Sequence, residues 1–277
     1  MINLPNLLTV SNMMCGSLSI IFSLSGRIDL AIITIILGMC FDFLDGFTAR
    51  LLKKSSSIGK QLDSLADIIT FGLAPGILMM VIIIVLTFQS QIDISLEPNV
   101  NSHVRFQISQ WISALLYNVP TNFDASIMYL PFSALFIPFF SIFRLAKFNL
   151  DENQKLNFIG LPTPMNSFFF LFFPLYFILN YHQWHELNDW IRFLLFDIYF
   201  LSALCLIMSV LLISKIPLLG VKFNHFSLKG NEIKIALILT SSIIIFIMKV
   251  WAIPIIVFLY LTLSVIDHLN KKNKNEI

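Results

Sequence analysis

Charge is what this sequence has least of. Asp, Glu, Lys and Arg make up 12% of its 277 residues, against a 57% hydrophobic share and a mean hydropathy of +0.83. Soluble domains carry about 25% charged residues, so a soluble globular fold is excluded. Cysteine is scarce too. Cys15, Cys40 and Cys205 are odd in number, lie in apolar runs and form no C-x-x-C. A disulfide framework and a cysteine zinc site are therefore excluded, which leaves small packing residues. The amino terminus lacks a basic stretch and a small-residue cleavage motif, so its apolar run is expected to be a retained helix rather than a signal peptide. Internal repeats are absent, and low complexity is confined to the tail "NKKNKNEI". A net charge of +2 gives no reason to expect a nucleic-acid partner.

Long apolar runs are what the chain has instead, with 28 Phe among them. Eight stretches approach the ~20 residues that a bilayer core requires: 6–26, 28–52, 59–88, 127–150, 161–181, 190–214, 234–250 and 252–269. The expected fold is all-α, a polytopic membrane helix bundle of about eight transmembrane helices. The last two stretches are short and tightly joined, so a re-entrant hairpin is the alternative there. Pro75 is expected to bend the third span. The longest polar insert is 89–126. Within it Trp111, Ile112, Leu115 and Leu116 recur at helical spacing, which suggests a short interfacial helix.

Basic residues set the orientation. With the amino terminus inside, fourteen of the eighteen Lys and Arg fall in cytoplasmic loops: Arg50, Lys53, Lys54, Lys60, Arg144, Lys147, Lys155, Lys215, Lys222, Lys229, Lys234, Lys271, Lys272 and Lys274. Arg27, Arg105, Arg192 and Lys249 fall outside. Both termini are then cytoplasmic.

Four carboxylates stand out against this background. Asp42 and Asp45 close the second span, and Asp63 and Asp67 open the third. Each pair has i, i+3 or i, i+4 spacing and so shares a helix face. The short turn "LLKKSSSI" lets the pairs converge at the cytoplasmic end. Four clustered carboxylates repel one another unless cations sit between them. Oxygen ligands suit hard divalent ions, Mg²⁺ or Mn²⁺, and two such ions ~3.5–4 Å apart are the usual arrangement for displacement at phosphorus. Solvated helix-end charges explain one aspartate at this depth far better than four in register. Gly46 and Ala49 lie on or beside the aspartate face, and Gly59 is one turn before Asp63. Small residues there leave room for a ligand, although close helix packing also uses them.

The run Asp42-x2-Asp45-Gly46-x2-Ala49-Arg50-x8-Gly59-x3-Asp63-x3-Asp67 matches, without a gap, the signature of the CDP-alcohol phosphatidyltransferase family, eight fixed positions over 26 residues. The resemblance covers roughly residues 5–215. It implies a six-helix membrane core with a two-metal site at the cytoplasmic face, where a CDP-linked lipid passes its phosphatidyl group to an alcohol and CMP leaves. By the same resemblance residues 1–215 form the core, 216–277 add a cytoplasmic loop, a helix pair and a basic tail, and the protein is a homodimer of the cell (inner) membrane.

Position by position, Asp42 and Asp63 resemble ligands shared by both metals, Asp45 a ligand of the first and Asp67 a ligand of the second. Asp67 also resembles the family's proton acceptor. Gly46, Ala49, Arg50, Ser56 and Gly59 resemble the surroundings of CDP-diacylglycerol. Arg50 has independent support, because a guanidinium forks onto phosphate oxygens. Asn6 and Thr9, in "PNLLT", resemble a stretch that also meets the nucleotide, though a helix cap or Asx turn would equally use them.

"LDSLADIITFGLAPG" (62–76), "RLAKFN" (144–149) and "FIGLPTP" (158–164) look like the serine-using branch of the family. Members there often carry a second Arg where this chain has Lys147. L-serine is thus the expected acceptor, with Arg144 and Lys147 as candidates for its carboxylate. Glycerol-3-phosphate or inositol-type acceptors remain alternatives, as does, from another class, a divalent-cation transporter. A phospholipase-D-like route would need a His-x-Lys pair, and none of the five histidines sits in one. Asp197, inside the sixth span, is expected to pair with Lys249.

Overall fold

The computed structural model describes residues 3–53, 56–88, 99–117, 125–150, 158–184, 189–218 and 232–275. Lys54, Lys155, Lys222 and Lys229, named above, lie outside these residues, as does much of the 89–126 insert.

Chain punctuation sets the first two helices. Asn3 caps α1 (Leu4–Leu24), its side chain accepting the Asn6 N–H at 2.9 Å, and Pro5 occupies the first turn. Gly26, at φ +79°, reverses the chain into α2 (Ile28–Leu51). A Cβ at Gly26 would also lie 2.9 Å from the Arg105 nitrogen, so both the turn and a crossing helix require glycine there. α1 and α2 pack along each other. Ser19 Oγ donates to Ala31 O across that seam.

The third span is α3 (Ser57–Asp67), a π turn (Ile68–Leu73) and α4 (Ala74–Phe88) in one continuous helix. The irregularity falls before Pro75, where a bend was expected. The Ala74 N–H reaches back to Ile69 O, a five-residue step. The π turn sits deep in the bundle. Thr70 Oγ1 donates to Asn12 O at 2.9 Å, and Gly16 and Gly38 make room for it: a Cβ at either would come within 2.6 Å of the Thr70 side chain. α4 is buried nearly throughout and forms the axis of the core.

α5 (Val100–Tyr117) is longer and better packed than the short interfacial helix expected. Val104, Ile108 and Trp111 are buried against the bundle, while Ile112 and Leu116 face outward. Arg105 Nε bonds to Ser25 O, which ties α5 to the α1–α2 turn, opposite the aspartate end.

A short α6 (Ala125–Met128) and a 3₁₀ segment (Leu130–Leu135) lead into α7 (Phe136–Leu150). A two-residue strand β1 (Phe158–Ile159) pairs antiparallel with β2 (Pro217–Leu218), Phe158 opposite Leu218. Between them run α8 (Thr163–Phe170), α9 (Phe172–Leu179), α10 (Asp189–Leu195) and α11 (Ile198–Ile213). Asp197 is not an intramembrane partner of Lys249, and no ion pair joins them. The sixth span breaks before it, and its carboxylate caps α11 by accepting the Phe200 N–H at 2.8 Å.

α12 (Glu232–Met248) and α13 (Ala252–Asn275) fold back on each other at Lys249, whose φ is +50°. Trp251, at the reversal, packs on Phe172 and Tyr176 with ring centroids 5.1 and 5.5 Å apart. The chain is an all-helical integral membrane bundle: among the described residues five segments are long and apolar enough to cross a bilayer, two shorter apolar helices join them, and the longest segment, Ile235–His268, is the hairpin.

Candidate active site

The aspartates stand where two helix ends meet. α2 delivers Asp42 and Asp45 in its last turns. Ser56 starts α3 by accepting the Gly59 N–H at 3.0 Å, and that helix then delivers Asp63 and Asp67. One carboxylate oxygen from each of Asp42, Asp63 and Asp67 lies within 4.8 Å of the other two. Asp45 stands beside this trio, buried, with Oδ2 accepting from Thr9 Oγ1 at 2.6 Å. The donors are all carboxylate oxygens, with no sulfur or imidazole among them, so the set fits a hard divalent cation.

α1 lends the cluster neutral donors. Its Asn6, Thr9 and Asn12 are three residues apart and follow one face. Thr9 is buried with its hydroxyl engaged by Asp45, and Pro5 O is 3.1 Å away. Asn12 is fully buried, and its Nδ2 lies 3.5 Å from Asp67 Oδ1. The sequence reading missed Asn12. Its signal was the three-residue spacing from Thr9 within an otherwise apolar helix.

Of the residues expected around the nucleotide, Asn6, Ser56 and Gly59 stand together. A Cβ at Gly59 would lie 3.1 Å from Ser56 Oγ and 3.3 Å from Asn6 Oδ1, so these three residues are neighbours. A Cβ at Gly46 would meet nothing within 4 Å. Helix packing does not account for that glycine, and the space beside Asp45 is open. Ala49 is half-buried one turn on. Arg50, on the last turn of α2, is exposed, and no ion pair ties it to the aspartates.

Arg144 approaches from α7. It is buried, stacks over the Phe148 ring at 6.0 Å and donates from Nη1 to Thr163 Oγ1 at 3.4 Å. Lys147 is exposed, so the two cations do not share an environment, although both line a small cleft with Phe148, Ile159, Leu212 and Ser214. The Asn149 amide donates to Ser64 Oγ at 2.9 Å and so fastens this end of α7 to α3. Thr163 lies in the motif 158–164 quoted above, but no role of its own was read for it, since its meaning depends on Arg144, 19 residues away.

Fold and site together define a membrane-embedded protein with a carboxylate cluster, whose oxygen donors suit a hard cation, at one end of a helix bundle. The model of the family described as CDP-alcohol phosphatidyltransferase matches residues 2–196, and the chain belongs to that family. Among curated relatives, a CDP-diacylglycerol–serine O-phosphatidyltransferase of Bacillus subtilis is 31% identical over 161 residues, 58% of this chain and 69% of the relative. A protein of the same name from Saccharomyces cerevisiae is 41% identical over 100 residues, 34% of this chain and 35% of its own length. One from Helicobacter pylori is 32% identical over 162 residues, 58% of this chain and 52% of its own length. The chain thus spans between about a third and about two thirds of these relatives.

Proposed function

We propose that the protein transfers the phosphatidyl group of CDP-diacylglycerol to L-serine, giving phosphatidylserine and CMP. The observation that carries this reading is the convergence of Asp42, Asp63 and Asp67 on one point. The names of the relatives favour serine among the family's alcohols.

In this reading Asp42, Asp45, Asp63 and Asp67 would hold two divalent ions, Mg²⁺ or Mn²⁺, with Asp42 and Asp63 contributing to both, Asp45 to the first and Asp67 to the second. Bound there, the ions neutralise the diphosphate and stabilise the charge that develops on departing CMP. Thr9 orients Asp45 through its hydroxyl. Arg50 forks onto the diphosphate from the exposed last turn of α2. Asn6, Ser56 and Gly59 line the nucleotide side, and the open flank of Gly46, with Ala49 behind it, admits the ligand against α2.

Asp67 takes the proton of the seryl hydroxyl. Asn12 Nδ2, 3.5 Å from Asp67 Oδ1, orients that carboxylate. The seryl oxygen forms a bond to the phosphorus bearing the diacylglycerol, and the bond from that phosphorus to the CMP oxygen breaks. Arg144 binds the serine carboxylate, with Lys147 at the rim of the same cleft. Residues 1–215 form the catalytic core, and the hairpin and tail of 216–277 are an addition to it. The site and both termini face the cytoplasm of a cell (inner) membrane, in line with the basic residues Arg50, Lys53, Lys60 and Lys147 at the aspartate end. The working unit is a homodimer.

The test is CMP release by purified protein from CDP-diacylglycerol across a panel of alcohols, with and without Mg²⁺ or Mn²⁺. L-serine with either ion is expected to give the fastest release. Faster release with glycerol-3-phosphate or inositol overturns the acceptor. No release with any alcohol overturns the enzyme reading in favour of cation transport.

A further inference from the structure

α8 is held unusually firmly for a helix of eight residues. Just before it, Gly160 sits at φ +80° with Leu212 O against the position a Cβ would take. Its N–H donates to Ile216 O at 2.9 Å, and the Leu161 N–H donates to Leu211 O at 3.0 Å. The end of α11 thus fixes the start of α8, which packs against the π turn that follows Asp67.

The buried face of α8 is polar where it meets Arg144. Thr163, Asn166 and Ser167 are each 0% exposed. Thr163 touches the guanidinium, and Asn166, three residues on, follows the same helix face. Neither end of the Asn166 amide has a hydrogen-bond partner, nor does the Ser167 hydroxyl, nor Arg144 Nε. Buried polar groups are almost always satisfied. Leaving both ends of an amide and a hydroxyl bare on the buried face of one helix, whose first residue touches a guanidinium that is itself incompletely satisfied, is costly in a membrane bundle. Such a group is what a polar ligand would complete.

We propose that Asn166, with Thr163, is the specificity-determining subsite for the α-ammonium group of the acceptor. The inference rests on the serine reading above and deepens it. Serine carries its carboxylate and ammonium on one carbon, so their binding groups must be neighbours. Arg144 suits the carboxylate. The ammonium has three donors and no acceptor, and needs neutral or negative oxygens beside that guanidinium. Asn166 Oδ1 and Thr163 Oγ1 supply them without adding a carboxylate that would pair with Arg144 in serine's absence. An alcohol without an ammonium leaves the amide oxygen bare, and sites built around such a bond reject ligands that lack it.

The experiment measures CMP release by full-length protein in detergent, with L-serine as acceptor. 2-Aminoethanol, which lacks the carboxylate, and glycerate, which lacks the ammonium, serve as competitors. Asn166→Leu is expected to raise the serine KM roughly tenfold or more, with the KM for CDP-diacylglycerol unmoved. It should also abolish competition by 2-aminoethanol while glycerate still competes. Arg144→Gln should do the reverse, abolishing competition by glycerate and sparing 2-aminoethanol. A merely structural role for Asn166 would weaken both competitors together, and that outcome overturns the proposal. So does an unchanged serine KM in Asn166→Leu, which leaves the serine reading standing. If Asn166→Leu does not fold, Asn166→Ala decides with the same two competitors: equal weakening of 2-aminoethanol and glycerate overturns the proposal. If wild-type protein turns over another alcohol and not serine, the reading and the inference fall together.

Discussion

The span Ser57–Phe88 and the hairpin segment Ile235–His268 are the two longest apolar segments, 32 and 34 residues, yet 78% of the first is buried in its most apolar window and 11% of the second. Hydropathy therefore says that a segment belongs in the membrane and nothing about its neighbours there. Thr70 and the α12 hydroxyls illustrate the contrast. In the central span Thr70 points away from its own helix and donates to a carbonyl of α1. On α12, Thr240 and Ser242 are exposed and donate to their own helix, to Ala236 O at 2.7 Å and Ile238 O at 2.9 Å. A hydroxyl satisfied within its own turn asks for no partner and can face lipid. One that reaches across locks two helices together, since lipid offers no alternative.

The comparison breaks first if the aspartates are dispensable. Asp42→Asn or Asp63→Asn is expected to reduce CMP release by more than the roughly 10–100-fold typical of changes behind a metal ligand. Phe246→Ala on the hairpin, at 88% exposed, should leave the rate within about twofold, as surface changes do. Similar rates for the two kinds of variant at saturating Mg²⁺ or Mn²⁺ would dissolve the contrast. Next in size is Asp67→Asn. Losing a general base costs about 10²–10⁴-fold, and the KM for CDP-diacylglycerol should barely change because three carboxylates remain. A loss well under tenfold would mean that Asp67 takes no proton. The smallest effect sharpens the comparison most. Thr70→Val should lower stability by about 0.5–1.5 kcal/mol, the net worth of one hydrogen bond, and Thr240→Val by close to nothing. Thermal unfolding of the two variants in one detergent measures the difference directly.

Much of this was open to reading from the chain. The aspartate pairs declared themselves because charge is rare here and helical spacing is easily counted. The spans did so because runs of this length have few other uses. What stayed hidden were single polar residues whose meaning depends on a partner far along the chain. Asn12 meets Asp67 across 55 residues, and Thr163 meets Arg144 across 19. Asn166 is ordinary until its burial and bare amide are seen. Asp197 misled for the complementary reason: its partner is the backbone N–H three residues on, and hydropathy gave no sign that α10 would end just before it. The π turn was also out of reach, since Pro75 marks the neighbourhood of an irregularity and not the turn that holds it.

Gly46 has a consequence for how this protein can be improved. A helix-interior glycine forgoes about 1 kcal/mol relative to alanine, and around Gly46 the protein supplies no steric objection to alanine. Gly16 and Gly38 are different, for there Thr70 already fills the space. An engineer screening only for heat resistance would therefore be drawn to alanine at 46 and repelled from the other two. In the proposed site that choice exchanges turnover for robustness, because the methyl group would occupy ground that belongs to the substrate.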